Sequence, residues 1–215
     1  MISPRDNVRE IDHPLVRLHL TRLRDVNTSP AEFRSLVRRV ATILAAAATD
    51  DLQLRNTTVQ TPLATAPGYE LAERIALVPI LRAGLGLVDP LLDLIPDAEV
   101  WHLGLFRDEE TARPVEYYQK LPESDPPDVA LVVDPMLATG GSATLALDVL
   151  KRWGVPRTRL VVLIAAPEGI AAVREKFPET EIITAQVDEY LNDQKFIVPG
   201  LGDAGDRLFN TLPPS

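Results

Sequence analysis

Largely apolar runs recur along this chain, and the segments between them have the spacing of amphipathic helices. The runs cover residues 74–81, 100–106, 130–133, 160–166 and 181–187. Strands of a parallel sheet are covered on both faces and lack polar alternation, so these runs predict buried parallel strands. Strands that alternate with helices are typical of an α/β fold with right-handed crossovers. We therefore predict an open, mainly parallel sheet flanked by helices.

Two helices are predicted before the first buried strand. Apolar residues recur at helical spacing across residues 15–26, and a second helix starts at Ser29. Ser29 can cap this helix, Pro30 suits its first position, and Glu32 can complete a capping box. We expect both helices to pack in the core or in a dimer interface. A short strand in an edge or arm is expected near residues 59–62.

Two polar segments interrupt the alternation of strands and helices. Residues 107–121 predict a flexible hairpin arm with a charged tip, of the kind that closes over a site as a lid. Residues 188–211 follow the last predicted strand and predict a small C-terminal hood. The whole chain, 1–215, is predicted to be one domain, with N-terminal helices at about 14–50 and a core at about 75–187.

The composition excludes several classes of function. Hydrophobic residues make up 46% of the 215 residues and charged residues 25%, with no cysteine and a net charge of −9. No apolar run reaches about 18 residues, and the N-terminus lacks the apolar core of a signal peptide, so we expect a cytoplasmic protein without a membrane segment. Without cysteine there is no disulfide or thiolate chemistry. The negative charge disfavours nucleic-acid binding, but a local cluster can still bind a phosphorylated ligand.

A strand, a glycine-bearing turn and a helix meet at the run of residues 130–133. Asp134 ends the strand, and Gly140 and Gly141 stand in the turn, where both can take a positive φ. The free amides at the start of the helix would point at an anion. The carboxylate of Asp134 can accept hydrogen bonds from sugar hydroxyls. Together these groups predict a site for a sugar phosphate; the alternative is an ordinary strand-to-helix turn.

A second junction of this kind follows residues 74–81. Arg82 stands at its tip, two residues before Gly84. A guanidinium matches phosphate oxygens with paired donors, so Arg82 is a candidate for binding a diphosphate. The alternative is a solvent-exposed arginine at the start of a helix.

The turn after residues 130–133 resembles the 5-phosphoribosyl 1-diphosphate (PRPP) signature of type I phosphoribosyltransferases, with Pro135 in place of the second acid. In detail, residues 134–142 are similar to the version found in uracil phosphoribosyltransferases. Residues 199–206 resemble the uracil-binding signature of that family, and the resemblance extends over residues 13–211. A tight turn before a last short helix would explain one of the three glycines in residues 200–205, but not all of them.

The resemblance implies a reaction in which uracil and PRPP give UMP and diphosphate. Asp134, Arg82 and Arg107 would be the catalytic residues. The implied PRPP-binding residues are Arg82, Arg107, Asp134, Pro135, Met136, Leu137, Ala138, Thr139, Gly140, Gly141, Ser142 and Asp203. The implied uracil-binding residues are Ile197, Gly202, Asp203 and Ala204, with backbone groups of Ile197, Gly202 and Ala204 reading the base.

The resemblance also carries expectations about cofactors and partners. Mg²⁺ would arrive on the PRPP oxygens and keep its waters, without a protein cage. Family members are dimers or larger, so we expect a homodimer or higher homo-oligomer. Activation by GTP, known for some members, is left open because the chain has no separate GTP motif. The family usually has Gly-Tyr where this chain has Lys195 and Phe196, which removes a hydroxyl and predicts an altered hairpin geometry.

Three other functions are compatible with parts of this pattern. A transferase for another base is disfavoured by residues 202–204. A pyrimidine-responsive regulator that binds RNA on the same fold would need a basic patch, which the net charge of −9 disfavours. A scaffold protein would not need Arg82, Asp134 and two glycine-bearing loops together.

Overall fold

The computed structural model describes residues 7–107, 114–119, 121–122 and 124–211, with the backbone alone described for 104–107 and 114–119. The elements in chain order are β1 Val8–Glu10, α1 Pro14–Arg24, α2 Pro30–Ala48, β2 Leu54–Gln60, β3 Thr65–Leu71, β4 Ile75–Pro79, α3 Leu85–Leu94, β5 Glu99–Val100, β6 Leu103–Arg107, β7 Pro114–Gln119, β8 Val129–Val133, β9 Met136–Leu137, α4 Gly141–Trp153, β10 Arg157–Ala165, α5 Pro167–Lys176, β11 Glu181–Val187, β12 Tyr190–Leu191, β13 Ile197–Val198 and α6 Ala204–Phe209. The arm's tip, the Arg107 side chain and Lys120 lie outside the described residues.

The predicted parallel sheet is confirmed. Its strands lie in the order β1-β11-β10-β8-β4-β5, with β9 beside β10, and every pairing among them is parallel. From β4 the chain continues to β5 on one side, whereas β8 lies on the other side and leads on to β10 and β11. The strand order therefore reverses between β4 and β8. Open α/β sheets bind ligands at such a point, beyond the carboxyl ends of the strands.

Helices cover both faces of the sheet, as the unalternated strands predicted. The apolar residues of α1, α2, α3 and α6 pack against one face, and those of α4 and α5 pack against the other. All five residues of β4 and all five of β8 are buried. Because α3 and α4 leave the sheet on opposite faces, a crevice opens between the turns that follow β4 and β8.

Local capping signals set the starts of the N-terminal helices. The Ser29 hydroxyl accepts a hydrogen bond from the Glu32 amide at 3.3 Å, and Pro30 is the first residue of α2. The carboxylate of Glu32 forms an ion pair with Arg22, which ties α2 to α1. His13 caps α1, and its Nδ1 accepts from the Leu15 amide at 3.1 Å.

Two predicted strands differ clearly from the structure, and a third strand was not predicted. The run at residues 100–106 is divided, because β5 stays in the sheet beside β4 while β6 pairs antiparallel with β7 in the arm. The strand expected near 59–62 is the longer β2, which forms a separate hairpin with β3; side chains of this hairpin are mostly exposed and leave no apolar pattern. The sheet also gains β1, which is only three residues long. The predicted hairpin arm itself is confirmed as β6 and β7.

Candidate functional site at the carboxyl ends of the central strands

The turn between β8 and α4 is shaped by Gly140. This residue has a φ of +78° and forms the N-cap of α4. A Cβ atom here would lie 2.9 Å from the carbonyl oxygen of Gly169, so both the backbone angle and the space require glycine. Gly141 was also expected to take a positive φ, but it is the first residue of α4 and does not.

A cavity of about 320 Å³ opens at this turn. Its walls are Asp134, Met136, Leu137, Ala138, Thr139, Gly140, Gly141, Ser142, Ala143, Leu160, Val162 and Asp203. The first amides of α4 lack partners within the helix, and the 13-residue helix carries a partial positive charge at this end. The cavity therefore combines backbone donors with positive potential and suits a phosphate group.

Asp134 adds a carboxylate to the same cavity. Its backbone amide donates to the Val161 carbonyl at 3.2 Å, which holds the residue at the end of β8. The pKa of Asp134 is raised to about 7, mainly by burial; a hydrogen bond from the Met136 amide at 3.5 Å acts in the opposite direction, and the nearby charge of Asp203 contributes to the rise. A carboxylate held with so few donors is ready to accept hydrogen bonds from ligand hydroxyls.

Arg82 lies on the neighbouring turn after β4. The Gly84 amide donates to the Ile80 carbonyl at 2.9 Å, and this closes the turn. A Cβ at Gly84 would lie 2.4 Å from the Val133 carbonyl oxygen, so glycine lets this turn pack directly on the end of β8. The Arg82 side chain is 64% exposed, with Nη2 3.8 Å from Asp206 Oδ1. Its guanidinium is therefore available to a ligand.

The C-terminal hood adds a second, smaller cavity of about 200 Å³. Its walls are Met136, Ala138, Gln194, Lys195, Phe196, Ile197 and Asp203. Three of these, Met136, Ala138 and Asp203, also line the cavity of about 320 Å³ at the turn before α4, which we call the phosphate-sized cavity. The two cavities are therefore neighbours with a shared wall, and Asp203 belongs to both.

The residues expected to read a base are only partly gathered at this second cavity. Ile197 and Asp203 line it, whereas Gly202 and Ala204 do not. Gly202 is exposed with a φ of +76°, and Ala204 is completely buried. Base contacts through Gly202 and Ala204 stay predictions.

Two expected PRPP residues lie apart from the phosphate-sized cavity. Pro135 does not line it, because this residue is buried and its carbonyl accepts hydrogen bonds from the Leu163 and Ile164 amides at 3.0 and 3.1 Å. Arg82 does not line it either, although its turn borders the crevice. The Arg107 side chain lies outside the described residues, so its expected role in PRPP binding stays a prediction.

Sequence reasoning did not assign Gln194, Lys195 or Phe196 to the site, yet all three line the smaller cavity. Lys195 has a φ of +66°, a conformation that glycine adopts without strain. The replacement of glycine by lysine is thus accommodated in a left-handed backbone. A polar hairpin does not reveal which of its side chains face a pocket, and the only available signal was the departure from the family pattern at residues 195 and 196.

Other parts of the described chain fit a ligand less well. A cavity of about 440 Å³ near Arg74 and Glu99 lies at the amino end of β4, where these two side chains already pair at 2.6 Å. Among the described residues, no cluster of three or more His, Asp or Glu side chains could hold a metal ion. None of the helices in the described ranges has the length and hydropathy needed to cross a bilayer.

The chain is similar to known proteins over most of its length. The family model for uracil phosphoribosyltransferase matches residues 10–211. A protein of Roseiflexus sp. (strain RS-1) named uracil phosphoribosyltransferase is 57% identical over 199 residues, which cover 93% of this chain and 96% of the relative. A protein of the same name from Brevibacillus brevis is 53% identical over 201 residues, covering 93% and 96%.

Solved structures agree on the fold. The AQ2163 protein from Aquifex aeolicus superposes with a TM-score of 0.89 at 39% identity, covering 94% of this chain and 97% of that one. A hypoxanthine-guanine phosphoribosyltransferase from Bacillus anthracis superposes with a TM-score of 0.50 at 14% identity, covering 74% and 79%. This second similarity concerns the fold alone.

Proposed function

This chain belongs to the uracil phosphoribosyltransferase family, and we propose that it converts uracil and PRPP to UMP and diphosphate. The supporting observation is the pair of neighbouring cavities that share Met136, Ala138 and Asp203. One cavity is bordered by amides that suit a phosphate, and the other lies under the hood and has the smaller volume that a single base needs. A ribose bound between them would place its anomeric carbon next to the base.

Phosphate groups of PRPP are proposed to bind at two turns. The 5′-phosphate would accept hydrogen bonds from the amides at the start of α4 and from the hydroxyls of Thr139 and Ser142. The exposed guanidinium of Arg82 would bind the diphosphate with paired donors. Arg107 is proposed to do the same from the arm. These donors stabilise the negative charge that builds on the leaving diphosphate.

Asp134 is proposed to hold the ribose hydroxyls. During transfer the bond from the anomeric carbon to the diphosphate oxygen breaks and the bond to uracil N1 forms, with positive charge building on the sugar. The Asp134 carboxylate next to the ribose stabilises that charge. Asp203 borders both cavities, and we propose it as the acceptor for the proton released from N1.

Mg²⁺ is proposed to bind with PRPP. The donor set fits this arrangement, because Asp134 and Asp203 offer carboxylate oxygens in the phosphate-sized cavity without forming a closed metal cage. A Mg²⁺ ion of this kind keeps several waters, is held largely by substrate phosphates, and offsets their negative charge.

Base selection supplies the test of this function. Backbone groups near Ile197 are proposed to pair with uracil O4, N3–H and O2. Cytosine presents an amino donor in place of the O4 acceptor and a bare acceptor in place of the N3–H donor, and main-chain groups cannot rotate to adapt. Sites that pair with a substrate's polar groups reject such a mismatch by about 10⁴-fold. We expect UMP formation from uracil, and a value of kcat/KM for cytosine lower by that factor at saturating PRPP. Equal use of both bases, or no UMP at all, would contradict the proposal.

Partners beyond the two substrates stay proposals. A homodimer or higher homo-oligomer is supported by the β2–β3 hairpin, which projects Leu54, Val59 and Leu63 into solvent. Sedimentation would measure the assembly.

GTP as an activator is tested by its addition to the same assay. We propose a cytoplasmic location because PRPP is too highly charged to cross a membrane unaided. The regulator reading is disfavoured, because relatives at 53 to 57% identity carry the transferase name.

A further inference from the structure

We propose that Arg24 and Asp188 are positioning residues for the base-binding loop, residues 197–203. Neither side chain lines either cavity, so both act through the loop backbone. The inference rests on the proposed function, because it concerns how that loop is held for the base. It assigns a role in substrate selection to the end of the N-terminal helix α1, which is remote in sequence from the loop.

Arg24 is the last residue of α1 and makes three hydrogen bonds that converge on the loop. Nη1 donates to Asp188 Oδ2 at 2.8 Å and to the Gly200 carbonyl at 2.6 Å. Nη2 donates to Asp188 Oδ1 at 2.5 Å. The guanidinium thus donates to both carboxylate oxygens and to the loop carbonyl at the same time. A lysine ammonium cannot make these three bonds with fixed geometry.

Asp188, directly after β11, binds the same loop residue. We call the Arg24–Asp188 pair the clamp. Its Oδ2 accepts from the Gly200 amide at 2.9 Å, so the Arg24–Asp188 pair binds both the amide and the carbonyl of one loop residue. The backbone amide of Asp188 donates to the Ala165 carbonyl at 2.8 Å, which anchors the residue to β10. The position of Gly200 is therefore fixed relative to the central sheet by the Asp188 carboxylate.

Burial makes this clamp stiff. The side chain of Asp188 is 2% exposed and that of Arg24 is 23% exposed, so water competes weakly for their hydrogen bonds. Gly200 has a φ of +62°, and a Cβ there would lie 2.1 Å from the Ile197 carbonyl oxygen. The clamp thus holds the loop at Gly200, where the backbone packs too closely for a side chain. Gly200 is three residues from Ile197 in the wall of the smaller cavity.

A second arginine fixes the far side of the same loop. Arg207 is buried, and its Nη1 donates to the Leu201 carbonyl at 2.8 Å while its Nη2 donates to the Asp25 carbonyl at 2.6 Å. The guanidinium stacks over Phe33 at 4.3 Å. Consecutive carbonyls, at residues 200 and 201, are therefore tied to the end of α1. Because Arg207 belongs to α6 with Asp203 at its cap, the Arg24–Asp188 pair is the cleaner target for a test.

Two variants loosen the clamp in different ways. Arg24→Lys keeps the charge but cannot bond both carboxylate oxygens and the Gly200 carbonyl together. Asp188→Asn keeps the volume, but its amide group must face either Arg24 Nη2 or the pair of donors at Oδ2, so one donor meets another donor. The matched control is Arg159→Lys. Arg159 is also buried and bonds a carboxylate, Asp51, and a backbone carbonyl, that of Ala48, at the other end of the sheet.

The experiment measures KM for uracil and KM for PRPP, each with the other substrate saturating, in full-length wild type and the three variants. A misplacement of about 1 Å can reduce catalytic efficiency by about 100-fold. We expect the KM for uracil to rise by roughly ten- to a hundredfold in Arg24→Lys and Asp188→Asn, with the KM for PRPP changed by less than about threefold. Arg159→Lys should leave both constants near their wild-type values.

Hydrogen exchange provides a readout that does not depend on turnover. The amides of residues 200–203 should exchange faster in the two clamp variants, while those of residues 140–144 should not change. An unchanged KM for uracil with unchanged exchange would overturn the inference, and so would an equal rise in both KM values or the same pattern in Arg159→Lys. If wild type makes no UMP, the proposed function fails, and the exchange at residues 200–203 alone decides whether the clamp positions the loop.

Discussion

Asp134→Asn should make the ligand-free protein more stable, and the gain should depend on pH. The carboxyl group of Asp134 lies in the cavity wall at the end of β8, and burial raises its pKa from 3.8 to about 7. Asparagine keeps the shape and an oxygen that accepts from the Met136 amide. The substitution therefore removes the ionisable group while leaving its one backbone hydrogen bond in place.

The sign follows from proton binding. Between the unfolded pKa of 3.8 and the folded pKa of about 7, the folded state holds the Asp134 proton more tightly than the unfolded state does. The contribution of Asp134 to stability is therefore complete below pH 3.8 and is lost as pH rises through about 7. Roughly three pKa units at about 1.36 kcal/mol each correspond to about 4 kcal/mol in total. About half of that loss falls between pH 5.5 and pH 8.5.

Urea unfolding of wild type and Asp134→Asn at several pH values between 5.5 and 8.5 would measure this difference without PRPP or Mg²⁺. The advantage of the variant in the free energy of unfolding should grow by about 2 kcal/mol across the range. Asp93→Asn, at an exposed carboxylate on α3, is the control and should show a small difference that changes little with pH. A pH-independent difference, or a variant less stable than wild type at pH 8.5, would refute the reasoning.

Three further predictions concern the same site. Asp134→Asn should lower kcat by about 10²-fold at saturating PRPP, because one electrostatic contact to the developing sugar charge is lost, and near-normal turnover would remove Asp134 from its proposed role. Arg82→Lys keeps the charge but loses the paired donors, so calorimetry should find weaker diphosphate binding with an unchanged melting temperature; equal affinity would place Arg82 outside the site. Gly140→Ala must hold a φ of +78° and a Cβ 2.9 Å from the Gly169 carbonyl, and should lose more than about 1 kcal/mol of stability, whereas Gly154→Ala, at a φ of +98° with its nearest neighbour 3.7 Å away, should lose less.

The proposed stability effect and the proposed catalytic role of Asp134 have one physical origin. A carboxylate with few donors is unfavourable in the ligand-free protein and gains hydrogen bonds when ribose hydroxyls arrive. The same residue is then destabilising without substrate and stabilising with it. Functional sites often hold groups in environments of this kind.

Local sequence patterns predicted the elements that depend on short-range physics. The start of α2 at Pro30 follows from the hydroxyl of Ser29 and the fixed φ of proline, and β11 has the bounds of the apolar run at residues 181–187. The turn at Gly140 was recognised because only glycine fits its backbone. The β2–β3 hairpin was largely missed, since its mostly exposed side chains carry no apolar pattern.

The sequence by itself thus determined the alternation of strands and helices, the glycine-bearing turn that follows Asp134, and the resemblance to the family. Only the tertiary structure decided which turns lie together, because adjacency of β4 and β8 is a property of strand order and not of either strand. It also decided the raised pKa of Asp134, since desolvation depends on every atom packed around a group. The contact of Arg24 with Asp188 joins residues 164 positions apart, and no local pattern encodes a hydrogen bond over that separation.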